Sequence, residues 1–77
     1  MTRSLMNTFR PLDLLTQREI DVINQVLKDR TNQQIAESMN LSYNTIVTHR
    51  KNILKKLNLN SPIGLVLWAL KNGLKID

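Results

Sequence analysis

The residues best able to do chemistry in this sequence are crowded into one stretch. From Asn44 to Lys56 the polar positions read Asn44, Thr45, Thr48, His49, Arg50, Lys51, Asn52, Lys55 and Lys56, with no carboxylate among them. Such a set donates hydrogen bonds and carries positive charge. It contains no acid–base pair, no activated nucleophile and no glycine-rich phosphate loop, so catalysis lacks a candidate site and an enzyme is not expected. His49 is the one histidine and cysteine is absent. Disulfides, thiol chemistry and cysteine-ligated zinc are therefore excluded, and no metal or other cofactor is expected.

The wider charge pattern points the same way. Net charge is +5, and no acid lies between Glu37 and Asp77, a stretch that holds Arg50, Lys51, Lys55, Lys56, Lys71 and Lys75. Asp13, Glu19, Asp21, Asp29 and Glu37 all lie in the first half. That segregation makes a one-sided field suited to a polyanion. A solvated basic face on a helical bundle would share this composition, so charge alone leaves both readings open.

Local signals predict the elements that must position this stretch. Seventy-seven residues make one domain with a small core. Residues 1–11 lack periodicity and read as a linker or tail, and residues 12–77 as the domain. Thr16-Gln17-Arg18-Glu19 has the capping-box pattern, with Leu15 placed to staple onto Ile20. Ile20, Ile23, Val26 and Leu27 follow at helical spacing, predicting a first helix from Gln17 to about Lys28, ended by Asp29 and Arg30.

Thr31 to Gln34 repeats the box, and a second helix, Asn32 to Met39, buries Ile35, Ala36 and Met39. Asn40 suits a left-handed turn. Ser42 caps a third helix from Tyr43 to about Leu57, and Asn58 ends it as Asn40 ended the second. Ser61 caps a fourth, Pro62 takes its first position and Gly73 closes it. No alternation predicts a strand, so the fold class is all-α with four helices.

The central pair has the layout of a helix-turn-helix. A short helix, the turn Asn40-Leu41-Ser42 and a longer basic helix follow in order. Small Ala36 stands where the helices approach, and Ile35, Met39, Leu41 and Ile46 complete the apolar pattern. At about 100° per residue, Ile46, Ile53 and Leu57 form the buried stripe of the third helix, with Leu54 at its edge. Asn44, Thr48 and Lys51 fall opposite with Lys55, and Val47 lies at the margin. Thr45, His49, Asn52 and Lys56 line the flank.

Roles follow from side-chain chemistry. Lys51 can donate to a guanine edge, Asn44 can pair with adenine, and Thr48 or Val47 can meet a thymine methyl. Lys55 and Lys56 suit phosphates, as do Thr45, His49 and Asn52 on the flank. Arg50 lies towards the core side, to lay its stem over Leu54 or to reach a phosphate from the helix edge. Thr31 and Asn32, at the start of the second helix, can present N–H groups and side-chain atoms to a phosphate.

Three segments carry a family resemblance: Leu15 to Glu19, Asn32 to Glu37, and Thr45 to Leu57. From Leu15 to Leu74 the chain resembles the LuxR-type DNA-binding domain of NarL/FixJ response regulators and stand-alone GerE-like proteins. The resemblance implies a four-helix fold, a third helix in the major groove of double-stranded DNA, and a dimer on two half-sites. Its groove-facing positions fall on Asn44, Val47, Thr48 and Lys51. Val47 stands where the family commonly has lysine or arginine; Asp29 and Asn58 replace glycines usual at those turns.

In the fourth helix, Ile63, Val66, Leu67 and Leu70 are read as core. The opposite side carries Leu65, Trp68, Ala69 and Asn72. This face is expected to mediate a homodimer, as the resemblance implies, with Trp68 folding back onto Phe9 or Leu12 as the alternative. Ile63 to Leu70 is too short to span a bilayer, and Met1 to Arg10 has no apolar centre of a secretory signal. No membrane role and a cytoplasmic location are expected.

These features together favour a transcription regulator, either stand-alone or the C-terminal effector domain of a longer one. A different class stays open: a helical module that binds an acidic protein partner such as RNA polymerase or a receiver domain.

Overall fold

The structure, a computed structural model, describes residues 14–74. It consists of α1 (Gln17–Leu27), α2 (Asn32–Met39), α3 (Tyr43–Leu57) and α4 (Pro62–Lys71), with no strand among the described residues. The tail assigned to residues 1–11, the domain start at Leu12 and the fold-back of Trp68 onto Phe9 or Leu12 lie outside those residues.

Each helix starts where a side chain satisfies its first free N–H groups. Thr16 Oγ1 accepts from the Glu19 N–H at 3.1 Å while Glu19 Oε1 accepts from the Thr16 N–H at 2.9 Å. Thr31 and Gln34 repeat this reciprocal box at the same two distances. Ser42 and Ser61 cap α3 and α4 through the N–H groups of Thr45 and Gly64, and Pro62 occupies the first turn of α4. α1 ends one residue earlier than its pattern suggested, with Lys28 as its cap.

The helix ends share one device. Asp29, Asn40 and Asn58 take left-handed backbone angles, φ 61°, 57° and 57°, and Gly73 takes φ 93°. Asp and Asn tolerate this region because their short polar side chains bond locally. After three of these residues the chain closes with the N–H of Leu41, Leu59 and Leu74 donating to the carbonyls of Ala36, Leu54 and Ala69, at 2.8–2.9 Å. Those three leucines also pack against the core, the apolar contact that accompanies such helix ends.

The core is one cluster: Leu15, Val22, Ile23 and Leu27 with Ile35, Ala36, Ile46, Ile53, Leu65 and Ala69. α3 packs on both α1 and α2, and α4 packs chiefly on α1. One polar side-chain bond also bridges each pair among the first three helices. Gln25 Nε2 donates to Ser38 Oγ at 3.0 Å, Arg50 Nη1 to Asn32 Oδ1 at 2.7 Å, and Lys56 Nζ to Glu19 Oε1 at 2.7 Å.

The orientation of α4 reverses the expected one. Leu65 and Ala69 are 1% and 0% exposed and lie in the core, whereas Ile63, Leu67 and Leu70 are 70%, 62% and 43% exposed. Leu65 and Ala69 therefore cannot form a dimer contact. Trp68 is half-buried against the core, and Asn72 is half-buried with its amide donating to the Trp68 carbonyl at 2.8 Å. The reason is that α4 is apolar almost all round, so periodicity does not choose a face. Contact with α1 chooses the side with small Ala69, which lets the helices approach, and Leu65 one turn earlier fills the space.

Candidate nucleic-acid interface

α3 owes its working face to three packing residues. Ile46 and Ile53 are fully buried and Leu57 half-buried, which locks one side of the helix onto α1 and α2. The opposite side then has to face outward. Asn44, Thr48, Lys51, Asn52 and Lys55 are all exposed, and Thr45, Val47 and His49 are half-buried along the margins. Asn44, Thr45, Thr48, His49 and Asn52 line a shallow depression of about 270 Å³. The base-reading positions expected from sequence thus lie together on one face, with Val47 turned partly inward.

Several residues expected to meet phosphates have more structured surroundings than the sequence suggested. Arg50 reaches Asn32, the first residue of α2. One guanidinium N–H is used there, and the others stay available in the same fork. Asn32 has its carbonyl oxygen engaged, so its amide nitrogen is the group left to donate. Thr31 has both its N–H and its hydroxyl lone pair committed to Gln34. Of the N–H and side-chain atoms expected to meet a phosphate, its hydroxyl hydrogen is the donor left. Arg50 and Thr31 also border a second cleft of about 340 Å³, completed by Val26, Asp29, Arg30, Pro62, Ile63 and Val66.

Lys56 has a different function from the one its sequence neighbours suggested. Its ammonium lies 2.7 Å from Glu19, a carboxylate only 5% exposed. Burial pushes the Glu19 carboxyl up. The hydrogen bonds from Lys56 and Thr16, with the charge of Lys56, outweigh burial and hold it below the ordinary carboxylate range. Lys56 is thus first a structural partner of α1, and the phosphate contact expected of it would share its ammonium with Glu19. Sequence reading identified Glu19 as a cap residue but not as this anchor, because its second partner lies 37 positions away. It also passed over Tyr43, which opens α3 and is 50% exposed.

No cluster of three or more metal-ligating side chains occurs among the described residues. The arrangement offers hydrogen-bond donors and cations on the exposed face of one helix.

Residues 13–69 match the family described as bacterial regulatory proteins, luxR family. The chain belongs to that family. Among its relatives is the transcriptional regulatory protein MctR of Rhizobium johnstonii, 40% identical over 62 residues, covering 80% of this chain and 29% of that one. The nitrate/nitrite response regulator protein NarP of Escherichia coli is 36% identical over 61 residues, covering 79% and 28%. The oxygen regulatory protein NreC of Staphylococcus carnosus is 35% identical over 86 aligned positions, covering 96% and 40%. The chain therefore spans well under half the length of these relatives. The luxR family is one of DNA-binding regulators, in keeping with the non-enzymatic reading of the face on α3. As a luxR-family chain it also has no described helix long and apolar enough to cross a membrane.

Proposed function

We propose that this chain binds double-stranded DNA at specific sequences, with α3 in the major groove, as the DNA-binding part of a transcription regulator acting in the cytoplasm. The observation that carries the reading is the outward face of α3. It is exposed, free of carboxylates and held on two buried isoleucines. Asn44, Thr48 and Lys51 are the base-reading candidates, and Val47 contributes an apolar margin. Lys55, Arg50, Asn32, Thr31, Thr45, His49 and Asn52 suit the flanking phosphates. The names and lengths of the relatives support an effector domain that works beside another unit in a longer protein.

A homodimer fits best through the exposed strip Ile63, Leu67 and Leu70 on α4. These three large apolar side chains lie on one side of one helix, the kind of patch that marks self-association.

The test is the salt dependence of binding to a duplex selected from random DNA. Lys51→Ala is expected to relax base preference at one position, at a cost of about 1–3 kcal/mol. Lys55→Ala is expected to weaken all sequences alike and lower the log–log salt slope by about one. A salt-insensitive complex, or none, overturns the reading in favour of a module for an acidic protein partner such as RNA polymerase.

A further inference from the structure

We propose that Tyr43 is a further specificity-determining residue of α3, its ring set against the apolar edge of a pyrimidine and its hydroxyl donating to the adjoining phosphate. The proposal rests on the reading of α3 as the groove-entering helix.

Position is the first argument. Tyr43 is the first residue of α3, and a recognition helix contacts base edges with its N-terminal residues. Helical side chains lean towards the N-terminus of their helix, so this position carries the ring beyond the helix end. The neighbouring Ser42 and Thr45 hydroxyls are bonded to each other at 2.8 Å. That bond uses one of the two hydroxyl hydrogens, so Tyr43 and Asn44 add most of the remaining polar reach at this end of α3.

Exposure is the second. Five large apolar side chains are exposed among the described residues, and of these Tyr43 alone lies on α3. Half of its surface meets water, so the core does not account for it. Helix propensity does not either, since tyrosine ranks well below alanine, glutamate or lysine. An aromatic ring with a polar tip matches a groove wall, where a thymine methyl or sugar lies beside phosphate oxygens.

Charge is the third. Tyr43 is neutral, so its contact adds sequence preference without releasing a counterion. That separates it from Lys51 and Lys55.

The experiment selects a duplex from random DNA with the wild-type chain. Kd is then measured for that duplex and for sheared mixed-sequence duplex, using Tyr43→Ala, Tyr43→Phe and Lys51→Ala. Tyr43→Ala is expected to weaken the selected duplex about tenfold and the mixed duplex no more than about twofold, with an unchanged salt slope. Tyr43→Phe is expected to keep the base preference and to lose no more than about twofold in affinity for either duplex. A 5-iodouracil placed at the outer thymine of a half-site is expected to cross-link at Tyr43. Helical circular dichroism of each variant is expected to match wild type.

If Tyr43→Ala affects both duplexes equally, or neither, while Lys51→Ala still relaxes preference, the Tyr43 proposal fails and the reading of α3 stands. If Lys51→Ala also leaves preference intact, or no duplex is selected, both fall together.

Discussion

Lys55 and Lys56 are adjacent in sequence and both basic, yet they face different demands. Lys55 is exposed on the outward face, whereas Lys56 turns along the flank to meet Glu19. Removing Lys56 leaves a nearly buried carboxylate with only the Thr16 N–H for company. Lys56→Met is expected to lower stability in urea by about 1–2 kcal/mol, and Lys55→Met by no more than about 0.5 kcal/mol. The Lys56 ammonium itself stays partly in water, which keeps the pair's own contribution small.

The same pair sets a pH dependence. Glu19 has a folded-state pKa below its unfolded value. The stability it contributes is therefore present above the unfolded value and is lost as pH falls through the folded one. Urea midpoints taken from neutral pH to well below the ordinary glutamate pKa of about 4.3 are expected to fall more steeply for wild type than for Glu19→Gln. Parallel curves would disprove the role given to this carboxylate.

At the scale of elements, helix starts and stops were legible because the physics that sets them is local. Thr31 and Gln34, or Ser42 and Thr45, lie within one turn, so residue type and spacing suffice to place α2 and α3. The same holds for the left-handed ends. Asn40→Ala is expected to cost about 1 kcal/mol because alanine enters the left-handed region less readily than asparagine. Asn58→Gly is expected to be neutral or slightly stabilising; thermal melts of the two variants check both. What sequence did not disclose is contact between distant positions. Lys56 with Glu19 and Arg50 with Asn32 are each joined by the packing of whole helices, which no local spacing encodes. The facing of α4 failed for a related reason, since an all-apolar helix gives its partner the decision.

At the scale of the molecule, α4 presents two apolar faces with opposite tasks. Leu65 sits in the core, so Leu65→Ala is expected to cost about 2–5 kcal/mol. Leu67 projects outward, so Leu67→Lys is expected to leave the melting temperature nearly unchanged while abolishing self-association in sedimentation. A Leu67→Lys chain that still sediments as a dimer would place the contact elsewhere. Leu67 lies outside the core and off α3, so under the proposed reading a Leu67→Lys monomer should keep its preference for a single half-site while losing avidity for two.

α1 touches everything that matters and contacts no ligand in the proposed scheme. It carries Glu19, which holds one end of α3, and it is the main support of α4. The angle between α3 and α4, the proposed groove-entering and dimer-forming helices, is therefore gauged by α1. Its fully buried pair Val22 and Ile23 then acts as the caliper of the proposed assembly. In the proposed dimer, a change of core volume there is expected to alter the half-site spacing that two copies read together.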